Sequence, residues 1–168
     1  MAIQSIPKVY LKPGEYYFGL RPTYVHTVLG SCVAVSIFHR HTGLAAICHA
    51  VQPDCDFADA GNNRDLHSRC VRKVVPAMIQ AFISRQVRPA ELEVKLFGGA
   101  SLIGNSANGE DKRSVGALNI AAARQVIAEN GLVVCAADVG GCSGRKIIFN
   151  THTGIVLMKR MRQVSKVV

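Results

Sequence analysis

The sequence predicts an α+β fold, a mixed β-sheet sandwich carrying two main helices. Three observations lead there. Short apolar runs rich in β-branched residues recur along the chain, and two longer segments carry helical apolar spacing. Strands outnumber helices without the strict βαβ alternation of a doubly wound sheet.

The elements follow in order. Tyr10-Leu11-Lys12 reads as a strand, Pro13-Gly14 as a turn, and Glu15-Tyr16-Tyr17 as the start of a second strand. Val25 to Leu29 is a strand that stops at Gly30-Ser31. Val33 to Phe38 is apolar almost throughout, which fits a buried strand or the start of a short helix. His39 to Gly43 is a turn, and Leu44 to Val51 is a further strand, so the two runs form a hairpin. Residues 55–63 read as a surface loop. Asp65 to Arg85 has helical spacing through Leu66, Cys70, Val74, Ala77, Met78, Ala81 and Phe82, with Pro76 expected to kink or split it. Leu92 to Phe97 alternates like a strand, and residues 103–113 form a loop. Ser114 to Glu129 is a second helix, through Leu118, Ala121, Ala122, Gln125 and Val126, with Gly131 beyond its end. Leu132–Asp138, Lys146–Phe149 and Ile155–Lys159 complete the strands. One domain is expected over 1–168, with its core at about 10–160 and a basic C-terminal tail.

The composition excludes several classes of protein. Hydrophobic residues make up 49% and charged residues 18%, which is globular rather than disordered. No apolar run approaches the roughly 20 residues of a spanning helix, and the first residues lack a secretory signal, so a cytoplasmic protein without membrane insertion is expected. Its six cysteines would then be thiols, with Cys48, Cys70 and Cys135 as small core residues. No Cys-x-x-Cys or zinc-knuckle spacing occurs, so no zinc site is expected, and the cysteine chemistry described below requires neither metal nor organic cofactor. The formal charge of +9 favours an anionic partner, but the basic residues are dispersed and Trp is absent. A nucleic-acid partner is therefore not the expected reading.

Thr27-Val28-Leu29-Gly30-Ser31-Cys32 carries the chemistry. A thiol at a Gly-Ser turn is held where a strand changes direction, and backbone N–H groups from Gly30 through Ser31 to Val33 are candidate oxyanion donors. Cysteine needs a base or a positive field to become thiolate at neutral pH. His49 is the candidate base: a hairpin with its midpoint between residues 40 and 41 sets 32 opposite 49. Gly98-Gly99-Ala100-Ser101 and Val139-Gly140-Gly141-Cys142 lack the spacing of phosphate loops and read as tight turns. Gly-x-Ser-x-Gly, His-Glu-x-x-His and paired carboxylates are absent.

Thr27 to Val35, followed by His49, resembles the CheD family of chemoreceptor glutamine deamidases. The resemblance continues through Phe97-Gly98-Gly99-Ala100-Ser101, Leu118-Asn119-Ile120-Ala121-Ala122, Asp138-Val139-Gly140-Gly141, Gly144-Arg145 and Asn150-Thr151-His152-Thr153-Gly154. It implies a protein-glutamine glutaminase acting on methyl-accepting chemotaxis receptors, with Cys32 as nucleophile and His49 as base. It also implies a threonine orienting the histidine, for which Thr27 is the match and His26 the alternative alignment. The implied fold is a sandwich like that of Cys-His deamidase toxins, and some members bind a CheC phosphatase. Cysteine protease or transglutaminase chemistry uses the same pair. A basic nucleic-acid-binding module and a catalytically silent scaffold are the readings from other classes.

Overall fold

The computed structural model describes residues 5–55, 67–101 and 113–161. Its strands are β1 (Lys8–Tyr10), β2 (Tyr16–Gly19), β3 (Tyr24–Leu29), β4 (Val33–His39), β5 (Leu44–Cys48), β6 (Leu92–Gly98), β7 (Val134–Val139), β8 (Arg145–Asn150) and β9 (Val156–Arg160). The helices are α1 (Val71–Ile83) and α2 (Val115–Glu129), and a single 3₁₀ turn, Pro89–Glu91, leads into β6. They form a four-stranded sheet in the order β1-β3-β8-β9 and a five-stranded sheet in the order β2-β5-β4-β6-β7. Both sheets are mixed, because β1–β3 and β6–β7 pair parallel and the other pairs are antiparallel. The α+β sandwich expected from the sequence is the architecture observed.

The five-stranded sheet is the middle layer. On one face Ala34, Phe38, Ala45 and Ile47 pack against Val25, Leu29, Ile147 and Phe149 of the smaller sheet. On the other, Val33, Val35, Ile37 and Cys48 pack against Val74, Met78 and Phe82 of α1 and Ala123 and Ile127 of α2. This explains the unbroken apolar run of β4: a strand covered on both faces has no solvent side to alternate with. Each fully buried Leu, Ile or Phe here contributes about 1.5–3 kcal/mol. Among the described residues, no helix is long and apolar enough to cross a membrane.

Several expectations are corrected. α1 starts at Val71, and Pro76 lies in its second turn without splitting it. The buried stripe is Val71, Val74, Val75, Met78, Ile79 and Phe82, which leaves Ala77 exposed. Leu66 of the expected stripe, most of the 103–113 loop and the end of the basic tail lie outside the described residues. In α2 the buried face is likewise rotated, and Leu118 is 45% exposed while Asn119 is fully buried. Cys135 is exposed on β7, the edge strand of its sheet, rather than in the core. Cys55 and Cys70 are joined as a disulfide with a Cα–Cα distance of 5.8 Å, where free thiols were expected. A bridge between Gln52 and Cys70 sets the start of α1 beside the end of β5, which brings Cys55 to Cys70.

Candidate active site

The sequence-predicted residues gather at one end of the sandwich, where β3 hands the chain from the smaller sheet to the larger. Val25, Thr27 and Leu29 alternate inward on β3, so Thr27 is buried between the sheets. His49 follows β5. Its neighbours Cys48 and Ala50 belong to the helix-side core, so its own ring points the other way, toward Thr27. The Pro13-Gly14 turn fixes its backbone: His49 N–H donates to Glu15 O at 2.9 Å and Gly14 N–H donates to His49 O at 2.8 Å. Gly14 has φ +87°, and a Cβ there would lie 2.6 Å from Arg69 Cγ. Glycine is what this turn requires.

Thr27 Oγ1 lies 2.7 Å from His49 Nδ1 and 3.0 Å from the carbonyl of Leu11. A hydroxyl has one proton, and the carbonyl can only accept it. Thr27 therefore accepts from His49 Nδ1–H, which leaves the lone pair on Nε2. Nε2 is buried and meets no hydrogen-bond partner among the described residues. His26 points to the opposite face of its strand, where it stacks on Tyr10 at 4.8 Å. Of the two alignments, the structure places Thr27, not His26, against the histidine.

Cys32 is half-buried at the crossover turn, and every carbonyl around it is held. Gly30 O accepts from Ala100 N at 2.9 Å, Ser31 O from Asn119 Nδ2 at 3.0 Å, and Cys32 O from Gly99 N at 2.8 Å. Val33 exchanges two bonds with Ala50, at 3.0 and 2.9 Å. The Val33 N–H is thus committed, which removes it from the expected oxyanion donors. The Ser31 N–H meets no acceptor among the described residues, and the Cys32 N–H faces the residue's own sulfur rather than another backbone group.

The hairpin register also differs from expectation. Ser36 pairs with Ile47 and Val33 with Ala50, so the midpoint falls between residues 41 and 42. Gly43, at φ +71°, closes the turn by donating to His39 O at 2.9 Å. His49 thus stands opposite Ala34, and Cys32 one step further along the same face. Diagonal neighbours in a sheet lie about 7–8 Å apart, a span an aromatic side chain can bridge, and His49 Nε2 makes no hydrogen bond to Cys32 Sγ in this arrangement.

The family model described as CheD chemotactic sensory transduction matches residues 56–160. The chain belongs to the CheD family. It is 48% identical over 159 residues to "Probable chemoreceptor glutamine deamidase CheD 2" of Geobacter sulfurreducens, covering 95% of this chain and 93% of that one. The "Probable chemoreceptor glutamine deamidase CheD" of Maridesulfovibrio salexigens is 38% identical, with 95% of each chain covered. That of Oleidesulfovibrio alaskensis is also 38% identical, covering 96% of this chain and 76% of its own.

Around the CheD-family motif the structure gives places to two residues to which the sequence assigned no role. Asn119 of α2 donates from Nδ2 to both Ser31 O and Val51 O, at 3.0 and 2.9 Å, tying the crossover turn to the strand that carries His49. Arg69, just before α1, has its backbone carbonyl bonded by Val51 and Gln52, and its charge acts on Cys32. Burial pushes the Cys32 thiol up from 9.0, while Arg69 and the residue's own N–H pull it down. Burial holds His49 below 6.5, opposed by the Leu11 carbonyl and Glu15. At neutral pH the site therefore rests as thiol and neutral imidazole. Cys48, fully buried, is pushed up to about 12 and stays inert.

Proposed function

We propose that this CheD-family chain deamidates glutamine side chains of chemotaxis receptors, with Cys32 as nucleophile, His49 as general base and acid, and Thr27 as the residue that orients His49. The Thr27–His49 contact carries the reading, since it leaves the buried Nε2 as the one nitrogen able to take a proton. His49 takes the Cys32 proton as the sulfur attacks the carboxamide carbon. The Ser31 and Cys32 N–H groups receive the developing oxyanion. Protonated His49 then donates to departing ammonia, leaving a thioester. It next takes a proton from water, and hydrolysis gives glutamate and restores the thiol. Each step uses groups of the chain and water.

The test is mass spectrometry of a receptor cytoplasmic fragment incubated with the protein. A gain of about 1 Da at defined glutamines, with ammonia released and no cleavage, is the outcome of this chemistry. Cleavage would point to a protease, and an unchanged fragment would remove the deamidase reading.

The pH dependence follows from the two shifts. Below the lowered pKa of His49 the imidazole is already protonated and cannot take the thiol proton, so the rate falls. Above the raised pKa of Cys32 the pair has lost the proton that departing ammonia needs. The rate should therefore plateau broadly, with its acid limb under 6.5 and its alkaline limb above 9.0. Arg69→Ala should move the alkaline limb higher and slow Cys32 alkylation at neutral pH, read peptide by peptide because Cys135 and Cys142 are also exposed. Arg69→Lys should recover most of both. An alkaline limb that ignores residue 69 would show that its charge does not act on the thiol.

A further inference from the structure

We infer that the outer face of the four-stranded sheet docks an acidic segment of the protein that carries the target glutamine. The inference rests on the deamidase reading and adds where the substrate lies. One face of this sheet covers the inter-sheet core, and the other has no layer over it among the described residues. The register lays its outward residues in rows. One row runs Tyr10, His26, Ile148, Leu157. It is mainly apolar, with Tyr10 68% and Leu157 61% exposed.

Cations flank that row on both sides. Toward the active-site end stand Val28, Lys146 and Lys159, and on the far side Lys8 is paired with Tyr24. Lys146 and Lys159 are direct cross-strand partners and both are exposed. Like charges placed directly opposite destabilise a sheet. None of the outward positions of the four strands is Asp or Glu, and none of these lysines has an ion pair among the described residues. His26, beneath them, is held below its ordinary value by burial, then by Lys146 and Lys8.

An apolar row between two cationic margins, with an uncompensated lysine pair, is complementary to a segment with one apolar face and carboxylates beside it. Four strands span about 14 Å, enough to seat one helix of about 10–12 Å diameter. The face is also continuous with the site. A cleft of ≈ 280 Å³ is lined by Tyr10, Val28 and Lys146 at this surface and by Thr27 and His49 at its base. A segment lying on the sheet would thus rest beside Thr27 and His49.

The experiment measures binding of a receptor cytoplasmic fragment to the full chain carrying Cys32→Ala, so that docking is read without turnover. Adding Lys8→Glu, Lys146→Glu and Lys159→Glu should weaken binding by about tenfold or more, and the glutamine versions by less. Raising salt from about 50 mM to about 300 mM should weaken the parent strongly and the reversed variant little. Unfolding temperature of each variant reports whether it is folded. Affinity unchanged by both substitution sets would overturn the inference, as would tighter binding of mixed-sequence DNA than of the fragment. A fragment that binds in this charge-dependent way but gains no mass with the wild type would sink the deamidase reading alone.

Discussion

Cys32→Ala is expected to reduce ammonia release from a receptor fragment to background, a loss of about a thousandfold or more, and His49→Ala should come close to it. The two residues handle one proton between them: with the thiol buried and raised above 9.0, little thiolate exists at pH 7 unless His49 accepts its proton. The double variant should therefore be no slower than the slower single variant. Thr27→Val keeps the side-chain shape and loses the 2.7 Å partner of Nδ1, leaving the imidazole free to choose the wrong tautomer. A loss of about ten- to a hundredfold is expected, and Thr27→Ser should retain most activity. Ammonia release measured against enzyme concentration checks all five variants. Activity surviving Cys32→Ala would remove the nucleophile, and additive losses at 32 and 49 would remove the coupling.

Much of this site was legible in the sequence. A thiol after Gly30-Ser31, a histidine near the end of the next apolar run and a Pro13-Gly14 turn are local features, each specified by its own few residues. The register was less so: whether the hairpin centres between residues 40 and 41 or one residue further along depends on how the chain closes around Gly43, and apolar runs on both sides tolerate either. The helical faces were misread for a related reason. Asn119 looks like a solvent position in a helix, yet it is buried because two carbonyls, Ser31 and Val51, need a donor there. Arg69 had no signal of its own, since its approach to Cys32 depends on the Gln52–Cys70 bridge between distant segments. The two glycine-rich loops were read as tight turns, but that the first lies against the nucleophile turn and the second against the first emerges only in three dimensions.

The first of those loops supports the last expected result: Gly98→Ala should damage stability and activity together. Gly98 ends β6 with φ +103°, and a Cβ there would lie 2.2 Å from the backbone oxygen of Cys32 and 3.2 Å from Val33 Cα. That oxygen is itself held by Gly99 N–H at 2.8 Å, so it cannot retreat without breaking the bond. The neighbour is backbone rather than a flexible side chain, and the strain of a positive φ adds to the overlap. A cost of about 2–4 kcal/mol is expected, with the nucleophile turn displaced. Gly43→Ala is the comparison: its φ is +71°, but nothing lies within 4 Å of the added carbon, so only the conformational strain of about 1 kcal/mol remains. Urea midpoints and ammonia release for the two variants separate the contributions. If Gly98→Ala proves as stable and active as Gly43→Ala, then the contact between the Gly98-Gly99 turn and Cys32 does not hold the nucleophile in place.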